Sequence, residues 1–328
     1  MGSGLTLALA LAVAGGQAAV GSAQGGGVAP APAATDADLR SLLERYAPAV
    51  VAVKAVVKVE LQMGGQGRDQ EQTLEMLGVV VDPSGLVMIS NAQISSSRLS
   101  EMMTSLGMVE DGFQFTMTPT EFKIYFEGED QGRLAFLAAA DTQLDLAFLQ
   151  LEDPGKTPLP AVDFAAAAEP ALGQEVVGLA CLNSSFDHAA FYEVARVSGE
   201  VLKPRRAWIL DGQLATLGLA VFSTAGKPVG VISTVVSSVA PESSGGGGGL
   251  SGIIASLGAR KTVGPVGVFL LPAAPVAKAV ELSKVRAGKL LEERREVGAQ
   301  GEPGEPPPAA GTPETPSQQE GGGAPLLS

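Results

Sequence analysis

The sequence predicts an all-β fold with irregular ends, and three observations carry that expectation. Residues 78–94, GVVVDPSGLVMISNAQI, set a β-branched run and a second apolar run on either side of Asp82-Pro83-Ser84-Gly85, the chemistry of a tight turn between two buried strands. Residues 49–61, AVVAVKAVVKVEL, turn to alternation in their second half, the period of a half-buried strand. Gly (42) and Pro (22) are plentiful among 328 residues while aromatics make up only 5%, which suits a β-rich core with long loose termini.

Taken in order, the chain opens with an apolar run at 5–14 that is well short of the roughly 20 residues needed to span a bilayer. Small residues ending Gly21-Ser22-Ala23 follow it, so 1–23 reads as a signal peptide or an N-terminal anchor. Residues 24–35 form a Gly/Pro/Ala linker with nothing to bury. Thr35 or Asp36 caps a short helix through Tyr46 with Leu39, Leu42 and Leu43 on one face, and Pro48 ends it. A polar loop is expected at 64–71. Residues 95–120 read as a helical, methionine-rich insertion, with Leu99, Met102, Met103 and Leu106 at helical spacing and Met108, Phe113, Phe115 and Met117 after it. Strands resume at Lys123, and residues 153–169 form a Pro/Ala-rich connector. The expected organisation is an N-terminal barrel at 36–153, a C-terminal barrel at 154–283, a helix at 284–296 and a Gly/Pro/Glu-rich disordered tail at 297–328.

Composition excludes several function classes. A net charge of −13 and a lack of long Lys/Arg blocks disfavour nucleic-acid binding. One cysteine (Cys181) and one histidine (His188) exclude an internal disulfide and a His/Cys zinc site. No cofactor or metal is expected, and Glu127, Glu129 and Asp130 read as a solvated turn rather than a calcium site.

The hairpin at 78–94 resembles that of the HtrA (Deg) family of trypsin-like serine proteases, written G-x-G-F-[VI]-[IV]-D-x-x-G-[YL]-[IV]-[LV]-T-N-x-H-V, with Ser90-Asn91 on the T-N pair and Ala92 taken as the histidine. Residues 141–151, DTQLDLAFLQL, are similar to the stretch whose second Asp orients that histidine, which places Asp145 in that role. In residues 209–232, ILDGQLATLGLAVFSTAGKPVGVI, the match to Q-T-D-A-x-[IL]-N-x-G-N-S-G-G-P puts Leu217 on the nucleophilic serine, with Ala215 and Gly218 in the oxyanion loop. Residues 264–280 resemble the strand and helix that close the protease domain, and no PDZ-like segment follows.

The resemblance implies a trypsin-like double β-barrel with short N- and C-terminal helices, the active site lying in the cleft between barrels. Triad chemistry needs a hydroxyl nucleophile beside an imidazole. With Ala92 and Leu217 at those positions, the expected function is an exported pseudoprotease (periplasmic, cell-envelope or extracellular) that holds a protein or an extended peptide in the inter-barrel cleft. Any membrane association would run through an uncleaved N-terminal segment. The competing expectation is an active serine endopeptidase whose triad has been misaligned or relocated to Asp145, His188 and Ser184 or Ser244.

Overall fold

The computed structural model describes residues 35–63, 66–105, 114–236 and 266–300. Expectations for the signal or anchor segment, most of the linker, Met108 and Phe113, the glycine tract with Ser244, and residues 301–328 lie outside the described residues.

Among the described residues, twelve strands build two closed antiparallel barrels of six strands each. The first runs in the order β1 (Val50–Met63), β2 (Gln66–Asp82), β3 (Leu86–Ser90), β6 (Leu146–Leu151), β5 (Arg133–Asp141), β4 (Gln114–Tyr125), and β4 closes on β1. The second runs β10 (Ala220–Ser223), β11 (Pro228–Val236), β12 (Val266–Pro272), β9 (Ala207–Gly212), β8 (Ala190–Val201), β7 (Glu175–Cys181), with β7 returning to β10. This is the double-barrel architecture expected from the sequence.

The hairpin expected at 78–94 is β2–β3, with Val79 opposite Met88 and Val80 opposite Val87. Its turn closes through Gly85 N to Asp82 O at 3.0 Å, with Ser84 N donating to Asp82 Oδ1. Gly85 has φ +89°, and a Cβ there would lie 3.0 Å from Leu151 and Pro154, so glycine is required twice over. All five residues of β3 are buried, as are all six of β6 beside it.

Several boundaries differ from the expectation. Residues 66–71 continue a ladder with β1 instead of forming a loop, Gln66 lying opposite Met63 and Glu71 opposite Lys58. No Gly or Pro interrupts residues 68–75, so the backbone stays extended and residues 69–73 point polar side chains into solvent. Among the described residues the insertion is helical over α2 (Ser96–Ser105), and from Gln114 it is strand β4. Phe115 and Met117 therefore follow period 2, with Met117 buried and Phe115 packed on the core. The C-terminal helix α3 is continuous over Ala273–Gln300, so the helix expected at 284–296 is its middle, and its end runs into the segment expected as tail.

Each barrel is strapped by a helix from the far end of the chain. Helix α1 (Asp36–Tyr46), capped reciprocally by Thr35 and Asp38, belongs by contact to the second barrel. Its Tyr46 stacks on Phe222 at 4.4 Å and donates its hydroxyl to Gly226 O at 3.1 Å. Helix α3 buries Val276, Ala279, Val280, Ser283 and Ala287, one stripe at helical spacing. It then returns to the first barrel, where Lys284 pairs with Asp82 at 2.9 Å. Further along, Arg294 pairs with Glu152 and covers the Phe136 ring at 4.2 Å.

Candidate functional site

The seam between the barrels is organised by Asp145, a residue with no exposed surface in the turn between β5 and β6. Its φ of +59° is the left-handed conformation that Asp tolerates better than most side chains. The turn is fixed on one side by Leu144 N to Asp141 Oδ1 at 2.9 Å and on the other by Asn91 N to Asp145 O at 3.1 Å. The carboxylate receives four donors. Ala92 N reaches Oδ1 at 2.6 Å, while Ser90 Oγ (3.1 Å), Thr234 N (2.9 Å) and Thr234 Oγ1 (2.7 Å) reach Oδ2. Burial pushes the Asp145 carboxyl above the usual carboxylate range, and the Thr234 and Ala92 donors together with the nearby Arg98 charge act in the opposite direction.

Ala92 lies in a single 3-10 turn (Asn91–Gln93) after β3, with its methyl buried and its amide on Asp145. Leu217 and Gly218 sit in the loop between β9 and β10. Leu217 is half-buried and packs on the apolar core, Ala215 is half-buried, and Gly218 donates its N–H to Ile232 O at 2.9 Å. A Cβ on Gly218 would stand 3.3 Å from both Leu77 O and Ser90 N, so this loop lies directly against the first barrel beside the Asp145 turn. The structure thus brings residues 90–92, 145 and 218 to one seam, with Leu217 the preceding residue of the same loop.

Two arginines that no sequence motif marked complete the cluster. Arg98, on α2, is 6% exposed; its Nη2 donates to Thr234 O at 3.2 Å and Thr234 Oγ1 at 3.4 Å, and its Nη1 pairs with Glu101 at 2.8 Å. Arg205, from the β8–β9 loop, donates through Nη2 to the same Thr234 O at 2.7 Å and to Ser233 Oγ at 3.0 Å. Burial lowers the pKa of Arg205; the Asp145 charge opposes that shift and the like charge of Arg98 adds to it. Nε of both arginines is buried without a partner, as are Asn91 Nδ2 and Gln93 Oε1. Nothing in the local sequence signals this arrangement, because a lone Arg on an amphipathic helix ordinarily faces solvent.

Of the residues of a relocated triad, His188 and Ser184 do not converge on this carboxylate, and Ser244 lies outside the described residues. His188 is buried in the β7–β8 loop with Nδ1 3.3 Å from Leu182 O and its ring 5.5 Å from that of Tyr125. Ser184 is exposed at the start of the neighbouring 3-10 turn. All four donors to Asp145 are amides and hydroxyls. Cys181 is half-buried and burial pushes its thiol up to about 12, which keeps it protonated at neutral pH. The expected solvated turn at 127–130 carries an ion pair between Glu129 and Arg133 and a cation stacked on Phe126, 4.5 Å from the ring centre.

No family model matches the chain, and no curated protein matches it. Among solved structures it is similar to one described as the crystal structure of Deg5, at 16% identity, covering 60% of this chain and 85% of that one with a TM-score of 0.41. The double-barrel assignment rests on the strand pairing of the chain itself.

Proposed function

We propose that this chain is an exported, catalytically silent homologue of the trypsin-like serine proteases that works by binding protein or extended peptide. The observation that carries the reading is the filled carboxylate of Asp145. A triad aspartate orients an imidazole, whereas here the four donors are Ala92 N, Ser90 Oγ and the two groups of Thr234. The chain's single histidine packs on Tyr125. Leu217, where the resemblance puts the nucleophile, offers only an alkyl group. Export rests on the sequence of residues 1–23; among the described residues no helix is long and apolar enough to cross a membrane.

The family's histidine falls on Gln93 rather than on Ala92. The pattern T-N-x-H leaves one residue between Asn and His, so Ser90-Asn91 on T-N makes Ala92 the intervening residue and Gln93 the histidine's replacement. Two features support this: Ala92 is buried and acts through its backbone amide, while Gln93 carries a side-chain oxygen that is buried without a partner. A carboxamide is no base near neutral pH, so the reading of inactivity is unchanged.

A fluorophosphonate probe and a peptidase assay on the purified full chain test the proposal. The expected result is no stoichiometric labelling and no turnover. Labelling that disappears in Ser184→Ala or Ser244→Ala, together with turnover that disappears in His188→Ala, would replace it with the relocated-triad enzyme.

A further inference from the structure

The tip of the β7–β8 hairpin carries the one asparagine of the chain that solvent reaches. The sequence holds two, Asn91 and Asn183. Asn91 is 3% exposed at the barrel seam, whereas Asn183 is exposed, as are its neighbours Leu182, Ser184, Ser185 and Phe186. Asn183-Ser184-Ser185 is an Asn-x-Ser triplet without proline, the pattern that accepts an N-linked glycan on a surface loop of an exported protein. Asn91-Ala92-Gln93 lacks the hydroxyl residue that the pattern needs.

The triplet lies beyond the last pair of the ladder, Cys181 opposite Ala190. The loop closes on itself through its backbone: Leu182 N donates to Ala189 O at 3.0 Å, and Phe186 N and His188 N donate to Asn183 O at 3.0 and 3.3 Å. Asn183 Oδ1 accepts Ser185 N at 3.1 Å, an Asx turn made by the triplet alone. A turn that needs only three consecutive residues is open to the chain before either barrel forms. With Oδ1 engaged, Asn183 Nδ2 has no hydrogen-bond partner among the described residues, so a group attached there breaks no contact of the fold. Leu182 (40% exposed) and Phe186 (60% exposed) flank the asparagine and stand in water. The face of an aromatic ring carries negative charge density, and the weakly positive C–H surface of a sugar packs on it. A glycan on Nδ2 would therefore cover apolar surface that the barrels leave bare.

We propose that Asn183 is the acceptor of an N-linked glycan, displayed at the tip of the β7–β8 hairpin. The co-reactant is an oligosaccharide carried on a polyprenyl pyrophosphate. A bond forms between Nδ2 and the anomeric carbon as that carbon's bond to the pyrophosphate oxygen breaks. The lipid pyrophosphate leaves with the bonding pair, Nδ2 gives up one proton, and nothing is oxidised or reduced. The proposal rests on the export reading given above, because the transfer takes place on chains that leave the cytosol.

The test expresses the full chain in secreting human cells, which supply the donor lipid, in two forms: one led by its own residues 1–23 and one with an added secretory leader. Peptide N-glycanase releases N-linked sugar and turns the asparagine that bore it into aspartate, so mass spectrometry of the peptide containing residues 183–185 reads the site directly. The expected result is a secreted protein whose gel band shifts on treatment with the enzyme. Asn183→Gln and Ser185→Ala should each abolish the shift, and Ser185→Thr should keep it. Both substituted side chains are exposed, and thermal unfolding of each variant establishes that it is folded. A secreted chain with an unmodified Asn183 overturns the proposal, as does a shift that survives in Asn183→Gln and Ser185→Ala. Sugar on the form with the added leader, with the other form retained in the cytosol, keeps the site and overturns the export reading.

Discussion

Thr234 gives both its amide and its hydroxyl to one oxygen of Asp145, at 2.9 and 2.7 Å, across the seam between the two barrels. Neither residue has appreciable exposed surface, so solvent cannot replace a lost donor. Thr234→Val keeps the shape and removes only the hydroxyl. We expect it to lower the free energy of unfolding in urea by about 1.5–3 kcal/mol, the range for a hydrogen bond to a charged or partly charged acceptor. Thr234→Ser, which restores the donor, should recover most of the loss. An unchanged urea midpoint in Thr234→Val would mean that the hydroxyl contributes nothing to the seam.

The barrels were legible in the sequence where hydrophobic period and turn chemistry agree. Residues 79–89 announce a hairpin because Asp82-Pro83-Ser84-Gly85 supplies the turn and valines supply the strand, and β2–β3 forms there. The ribbon at 66–71 was not legible, because its polar side chains read as loop while its backbone pairs with β1. The motifs at 141–151 and 209–232 singled out Asp145, Leu217 and Gly218, but not the contacts these residues make. Arg98, Arg205 and Thr234 were invisible because they meet only in space: they lie 136, 29 and 89 residues apart in the pairings that join Arg98 to Thr234, Arg205 to Thr234 and Thr234 to Asp145. A local pattern carries no information about such contacts.

Two histidine substitutions separate Ala92 from Gln93 as the position that the proposed reading equates with the family's histidine. Ala92 is buried with 7% of its surface exposed, so Ala92→His forces an imidazole into packed space beside Asp145. Overpacking of this kind destabilises by about 1–3 kcal/mol. Gln93 is half-buried and already carries a side chain of comparable length, so Gln93→His should stay within about 1 kcal/mol of the parent. Urea unfolding of both variants reads the difference. Equal destabilisation, or the reverse order, would return the position to Ala92.

The strap made by α3 should respond to pH at both ends of the scale. Burial pushes the Asp82 carboxyl up, but the Lys284 ammonium and the Ser84 donor outweigh it and hold Asp82 below its ordinary value of 3.8. Lys284, bonded to Asp82, is held above 10.5. A carboxyl lowered in the fold stabilises it above the unfolded value, and that contribution is lost as pH falls through the folded pKa. A raised ammonium stabilises the fold below its unfolded value and loses that contribution as pH rises through the folded pKa. Protection of residues 276–287 against hydrogen exchange should therefore weaken below about pH 3.8 and above about pH 10.5, after correction for intrinsic rates. In Lys284→Met both losses should shrink. Limbs of the same steepness in the variant would assign the pH response to other groups.

Gly218 ties the β9–β10 loop to the first barrel through its backbone conformation. Its φ is +82°, and an added Cβ would lie 3.3 Å from Leu77 O and from Ser90 N, both backbone atoms of packed strands that have little room to yield. Gly218→Ala therefore combines left-handed strain with a tight contact, and about 1–3 kcal/mol of stability should be lost. The displacement falls on the amide that donates to Ile232 O at 2.9 Å, so exchange at residue 218 should accelerate beyond what global destabilisation alone produces. Ala215→Gly, which removes a half-buried methyl from the same loop, serves as the control and should change stability by less than about 1 kcal/mol. If both substitutions have the same small effect, the loop is not fixed by Gly218 and its approach to Ser90 does not define the seam.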